Sequence, residues 1–224
     1  YKKIKYKKIN FTKKIERIFS FLKTKKRPII ICGGGVKSSK TYKYVKKFSK
    51  EKNIPIFFSR ASQDLDRHDQ DLIMGLAGIK GSRYCKKIMT ESDLVLGFGC
   101  RFSPQLVGHE FEVFKNAKVI SVDVSKDELN KKGINIDLRI NEDLKYFLPS
   151  LVSFLGKYKK IKKFNNWLNY CNNLKRVLDI NNIIKKKNPI DLYYFMDVLG
   201  NFSKSKHILI TDAGSNYYIG GQVW

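Results

Sequence analysis

Short apolar runs that alternate with helix-length stretches constrain this chain more than any other feature. Residues 29–32 read Ile-Ile-Ile-Cys, 54–58 Ile-Pro-Ile-Phe-Phe, 93–98 Asp-Leu-Val-Leu-Gly-Phe, 118–122 Lys-Val-Ile-Ser-Val and 136–140 Ile-Asp-Leu-Arg-Ile. Each has strand length and is rich in β-branched or aromatic residues. Between them the pattern predicts helices: one capped by Ser38 or Ser39 and running to about residue 51, others over 84–90, 111–116 and 127–131, and one opened by Asn141 or Asp143 and ending near residue 155. Strands that are nearly all apolar have no face for solvent, so they belong in a sheet covered on both sides. The expected fold class is α/β, with a doubly wound, mainly parallel sheet. Two stretches read as loops: the polar, acidic 59–71 and the segment 74–82, where Gly75, Gly78 and Gly81 recur every third residue.

Around this unit the chain divides by composition. Residues 1–26 are basic, with Phe11, Ile15, Ile18, Phe19 and Leu22 at helical spacing, and read as an amphipathic lead-in helix ended by Arg27-Pro28. Residues 27–155 hold the central α/β domain. From 156 to 189 the chain turns Lys- and Asn-rich around Trp167, Leu168, Leu174, Val177 and Leu178, which reads as a linker helix up to Asn188-Pro189. Residues 190–224 open a second α/β domain: a helix over 190–201, a strand over 207–211, and then the small residues Thr211, Asp212, Ala213 and Gly214. A strand that delivers such a turn brings bare backbone N–H groups up to a phosphate or cofactor. A loop of this kind needs a helix and more sheet behind it, so the expectation is a piece of a larger protein; the absent initiator Met agrees with that.

The formal charge of +25 invites a nucleic-acid reading. Most of the excess is Lys spread along the chain, and Arg, the better phosphate reader, is scarce, so the expectation is a solvated basic surface and no nucleic-acid partner. The runs at 157–163 and 185–187 are the strongest exceptions. No apolar run reaches membrane-spanning length and no leader is visible, so neither a membrane nor export is expected. Cys32, Cys85, Cys100 and Cys171 form no CxxC, and His68, His109 and His207 add no metal-ligand spacing; reduced cysteines in a cytoplasmic protein are expected.

Four constellations carry chemistry. After the strand 29–32, Gly33, Gly34 and Gly35 lead to a helix start, which makes either an anion-binding corner or a tight βα turn with no ligand. In 97–102, Gly-Phe-Gly-Cys-Arg-Phe, Gly99, Arg101 and Phe102 follow a buried strand; Arg101 either meets a phosphate or flavin edge, or pairs with a neighbouring carboxylate. Asp123 ends a strand, where it accepts from a ribose or caps the next turn. The glycine-rich 74–82 segment either hugs a ligand or is a plain surface loop.

The order of these elements, closed by Thr-Asp-Ala-Gly-Ser-Asn-Tyr-Tyr-Ile-Gly-Gly-Gln at 211–222, resembles thiamine-diphosphate-dependent enzymes of the acetolactate synthase type. The resemblance covers about residues 20–155 and 190–222. It implies a DHS-like, Rossmann-like central domain followed by the first strand and loop of a diphosphate-binding domain. It also implies carboligation or decarboxylation of a 2-oxo acid by a homo-oligomer, dimer or tetramer, with thiamine diphosphate and Mg²⁺. In flavin-containing members the positions of Gly33, Gly34, Gly35, Gly99, Arg101, Phe102, Asp123 and Asp143 line an FAD site. Those of Gly214, Ser215 and Asn216 approach the diphosphate end of the thiamine cofactor; Gln222 matches a family position without an assigned role. Ser103-Pro104 stand where flavin-binding synthases usually carry acidic residues, and Ser215-Asn216 where family members often carry Gln-His. The family's Glu that activates the aminopyrimidine and its Gly-Asp-Gly…Asn metal motif are not in these residues, so no catalytic or metal-binding residue is assigned here and the chain alone is expected to be inactive. The alternative is a stand-alone FAD- or NAD-binding module, which has no use for the closing motif.

Overall fold

The structure, a computed structural model, describes residues 10–223 apart from 68–69, 79, 109–111, 159–160, 180–181, 183–189 and 204–206. The first nine residues of the lead-in helix, His68, His109, the Lys run at 185–187 and Asn188-Pro189 lie outside the described residues.

The lead-in segment forms α1 (Thr12–Thr24), and its predicted stripe is buried: Ile15, Ile18, Phe19 and Leu22 are fully covered. β1 (Pro28–Cys32) follows, then α2 (Gly34–Ser38), α3 (Tyr42–Lys52), β2 (Ile56–Phe58) and a 3₁₀ turn (Arg60–Leu65). β3 (Ile73–Leu76), α4 (Arg83–Glu91), β4 (Leu94–Phe98) and α5 (Pro104–Val107) come next, with a 3₁₀ turn at Glu112–Phe114. β5 (Lys118–Asp123), α6 (Lys126–Asn130), β6 (Leu138–Asn141) and α7 (Leu144–Ser153) complete the sheet unit. α8 (Asn165–Val177), α9 (Leu192–Phe202) and α10 (Ser215–Val223) follow.

All six strands are parallel, in the order β3-β2-β1-β4-β5-β6. β1 and β4 are buried at every position, as two-sided coverage requires. α1, α3 and α7 form one layer, joined by Phe19 against Phe48 and Phe11 against Phe147. α4 and the 112–114 turn lie together apart from these, and α8 packs against α4. The order reverses between β1 and β4, so the crevice outside their carboxyl ends is where a doubly wound sheet accepts ligands.

Three local expectations are corrected. Residues 74–76 are not loop: Ile73, Gly75 and Leu76 pair with Ile56, Phe57 and Phe58 of β2 at the sheet edge, with a bulge at Met74, and ladder pairing outweighs the poor strand preference of Gly75. The helix expected to start at Ser38 or Ser39 is two helices. Neither serine caps α3; their hydroxyls donate backward to the carbonyls of Gly34 and Gly35, and Lys40 at φ 55° breaks the chain between α2 and α3. The strand expected over 207–211 is irregular, with Ile208 85% and Ile210 89% exposed, because no described strand lies beside it to complete a ladder.

The 59–71 segment is fastened by Asp66. Its carboxylate accepts from Tyr42 Oη at 2.6 Å, pairs with Lys46 Nζ at 2.7 Å and accepts from Gln70 Nε2 at 2.8 Å. Burial alone acts to raise the carboxyl's pKa, but the Lys46 and Tyr42 hydrogen bonds outweigh it and hold Asp66 below its usual value. A depressed carboxylate stabilises the fold above its unfolded pKa and loses that contribution as pH falls through the folded one. Denaturant titrations are therefore expected to show stability dropping below about pH 4. Asp66→Asn should cost about 1 kcal/mol at neutral pH and flatten the acid decline; an unchanged decline contradicts this role.

Candidate functional site

The candidate residues gather along the carboxyl edge of the sheet in two groups. The first surrounds the β1/β4 reversal. Gly33 N donates to Phe98 O at 2.9 Å and Gly35 N to Gly99 O at 3.1 Å, so two amides of the triple glycine are spent on the neighbouring turn. A Cβ at Gly33 would stand 1.8 Å from Gly99 O, and Gly99 itself takes φ +55°. The glycines bring two backbone turns into direct contact.

Phe102 is buried, at φ 45°, with its ring in the space that the missing Cβ of Gly97 leaves and edge-on to Phe114 at 6.2 Å. Arg101 points outward; its side chain is 82% exposed, and Nε lies 3.5 Å from Glu128 Oε1. Asp123 Oδ1 accepts from Ser125 N at 2.9 Å, and Asp143 caps α7 by accepting from Lys145 N at 2.8 Å. Glu142 N donates to Asp123 O, and Leu144 lies against Gly99, so all these positions share the edge of β1, β4, β5 and β6. Burial pushes the Cys100 thiol up to about 12 and the Cys32 thiol well above its usual value, which removes both as nucleophiles.

The second group lies outside β2 and β3. Gly214, at φ 120°, precedes α10, and Ser215 and Asn216 open that helix. A helix start leaves its first N–H groups without intrahelical partners and carries the positive dipole end. The next two residues, Tyr217 and Tyr218, wall a cleft of about 140 Å³ with Arg60, Lys80, Ser59 and Gln105 among its other lining residues. Among the described residues the cleft has two cations and no lining carboxylate, which suits an anion. Sequence reasoning missed Arg60, although it follows β2 as closely as Arg101 follows β4 and the same strand-end argument applies.

Residues 15–151 match the family described as thiamine pyrophosphate enzyme, central domain. The chain belongs to that family. This thiamine pyrophosphate enzyme domain is 29% identical over 229 residues to the probable acetolactate synthase large subunit of Methanococcus aeolicus, covering 96% of this chain and 37% of that protein. It is 26% identical over 215 residues to the acetolactate synthase large subunit of Lactococcus lactis, covering 94% and 35%. It is also 37% identical over 113 residues to the 3D-(3,5/4)-trihydroxycyclohexane-1,2-dione hydrolase of Clostridium perfringens, covering 50% and 18%. The chain spans about a third of the length of the acetolactate synthase subunits it matches. Among the described residues no helix is long and apolar enough to cross a membrane, and no group of three or more His, Cys, Asp or Glu is placed to hold a metal ion.

Proposed function

We propose that the protein works as part of a thiamine-diphosphate-dependent, acetolactate synthase-like enzyme that decarboxylates or ligates a 2-oxo acid. One observation carries this reading: the likeness to an acetolactate synthase subunit covers 96% of the chain, so it runs past residue 151 and through α9. A stand-alone nucleotide-binding module has no need of that segment.

The residues present fit the diphosphate end of the cofactor. Gly214, Ser215 and Asn216 offer helix-start donors that hold and orient an anion, and the cations of the adjoining cleft add to the field there. When bound, thiamine diphosphate with Mg²⁺ supplies the carbon–carbon bond chemistry. No Gly-Asp-Gly segment occurs in this sequence, and the resemblance places the activating Glu at none of its residues. The 224 residues alone are therefore expected to release no CO₂ from 2-oxo acids with thiamine diphosphate and Mg²⁺ added, and thiamine-dependent turnover by them alone overturns that expectation.

FAD fits the same edge in part. Arg60 and Lys80 suit a diphosphate, and Arg101 and the Asp123 and Asp143 positions line the neighbouring strand ends, but the amides of Gly33 and Gly35 are already used. A cleft of this size holds part of a dinucleotide, since whole ligand sites run to several hundred Å³. Visible flavin absorbance that survives gel filtration supports the flavin; a colourless protein indifferent to added FAD rejects it. The reading further takes the enzyme as a cytoplasmic homo-oligomer. Buried free cysteines agree with a reducing compartment, and the exposed Phe195, Phe202, Ile208 and Ile210 agree with an interface.

A further inference from the structure

α10 is held by unusual means. It has nine residues, too few to be stable alone, and only Ile219 and Gly220 are buried. Apolar burial therefore supplies little of its docking. It packs first against α9, where Met196 meets Gly220, and its remaining attachments lie at the ends of β2 and β3. The Arg60 guanidinium lies 4.1 Å from the Tyr217 ring centroid and 5.6 Å from that of Tyr218, and Lys80 Nζ lies 4.6 Å from the Tyr218 ring. At the far end Gln222 donates to Lys80 O at 2.7 Å and accepts from Tyr193 Oη at 3.0 Å. Between these points the helix is seated so closely that a Cβ at Gly221 would stand 3.1 Å from both Arg60 Nη1 and Gln63 Oε1.

Those two atoms are buried and have no hydrogen-bond partner among the described residues. Among the described residues no carboxylate lines the cleft. The faces of Tyr217 and Tyr218 are thus the counterpart that the Arg60 cation meets there. Tyr217 directly follows Asn216, so whatever fixes Tyr217 fixes the turn one residue away.

We propose that Arg60 is a positioning residue, a cationic clamp that holds α10, and with it the 214–216 turn, against the carboxyl edge of the central sheet. That the turn so placed serves a diphosphate rests on the proposed function; the clamp does not.

Hydrogen exchange followed by mass spectrometry tests it on the whole chain, because local opening is read segment by segment. Arg60→Ala and Tyr217→Leu should each raise exchange across 215–223 about tenfold, and the double variant should do no more than either alone. Arg60→Lys should recover part of the protection, since an ammonium keeps the charge but not the planar stack. Protection in β1 and β4 should not change in Tyr217→Leu, whose ring is on the surface; if Arg60→Ala loosens the sheet itself, Tyr217→Leu decides. Unchanged exchange in Tyr217→Leu, or additive effects in the double variant, overturns the clamp. The variants behaving as stated while thiamine diphosphate with Mg²⁺ leaves 214–216 unprotected in wild-type protein expressed from its complete reading frame would instead count against the cofactor reading.

Discussion

Gly33→Ala is expected to lose more than about 3 kcal/mol of stability, an overpacking penalty at the severe end. The new methyl would lie 1.8 Å from Gly99 O and 2.5 Å from Cys100 Cα, and both are backbone atoms with no rotamer to move. Relief requires separating the turns that follow β1 and β4. That separation breaks the Gly33 N–H bond to Phe98 O and the Gly35 N–H bond to Gly99 O, which close the two central strands. A domain with roughly 5–15 kcal/mol in total cannot absorb such a loss without visible unfolding. Gly156→Ala is the control: nothing lies within 4 Å of its Cβ position, so its effect should stay within about 0.5 kcal/mol. Urea midpoints followed by circular dichroism measure both. Equal midpoints for the two variants would show that the 33–35 turn is not a close backbone contact.

Trp167→Ala should cost about 3–5 kcal/mol. The ring is 5% exposed, and its Nε1 donates to the carbonyl of Pro28 at 3.0 Å in a buried setting. Truncation removes a large apolar surface and also leaves that carbonyl without its donor. The effect matters because it shows what α8 does. Residues 156–189 read as a linker, yet α8 crosses the amino-terminal side of the sheet. Phe164 N donates to Lys52 O at 2.9 Å, and Lys175 Nζ donates to Ile73 O at 2.9 Å. Trp167→Phe keeps most of the packing and loses the hydrogen bond, for about 1 kcal/mol. If the alanine variant costs no more than the phenylalanine one, α8 is not an integral part of the domain.

These two sites also show what the sequence could reveal. The parallel sheet was legible because its apolar runs have no polar face to offer solvent, and α1 was legible because its stripe keeps helical spacing. β3 was hidden, since the glycines at 75, 78 and 81 mask a strand whose one described strand partner is β2. The same limit applied in reverse at 207–211, where Ile208 and Ile210 have strand character but no partner strand. In the candidate site, the contacts of Gly33 with Phe98 and Gly99 and of Arg101 with Glu128 cross the fold and were not legible, whereas the bond from Ser125 N to Asp123 is local. Arg60 was unreadable as a clamp because its partner rings lie at positions 217 and 218, far along the chain.

The most direct test of the central claim uses the protein expressed from its complete reading frame. CO₂ release from a panel of 2-oxo acids should require thiamine diphosphate and Mg²⁺ together, stop on chelation and return when both are restored. Release that is indifferent to thiamine diphosphate, or none from any 2-oxo acid once the cofactor is shown to be bound, contradicts the assignment.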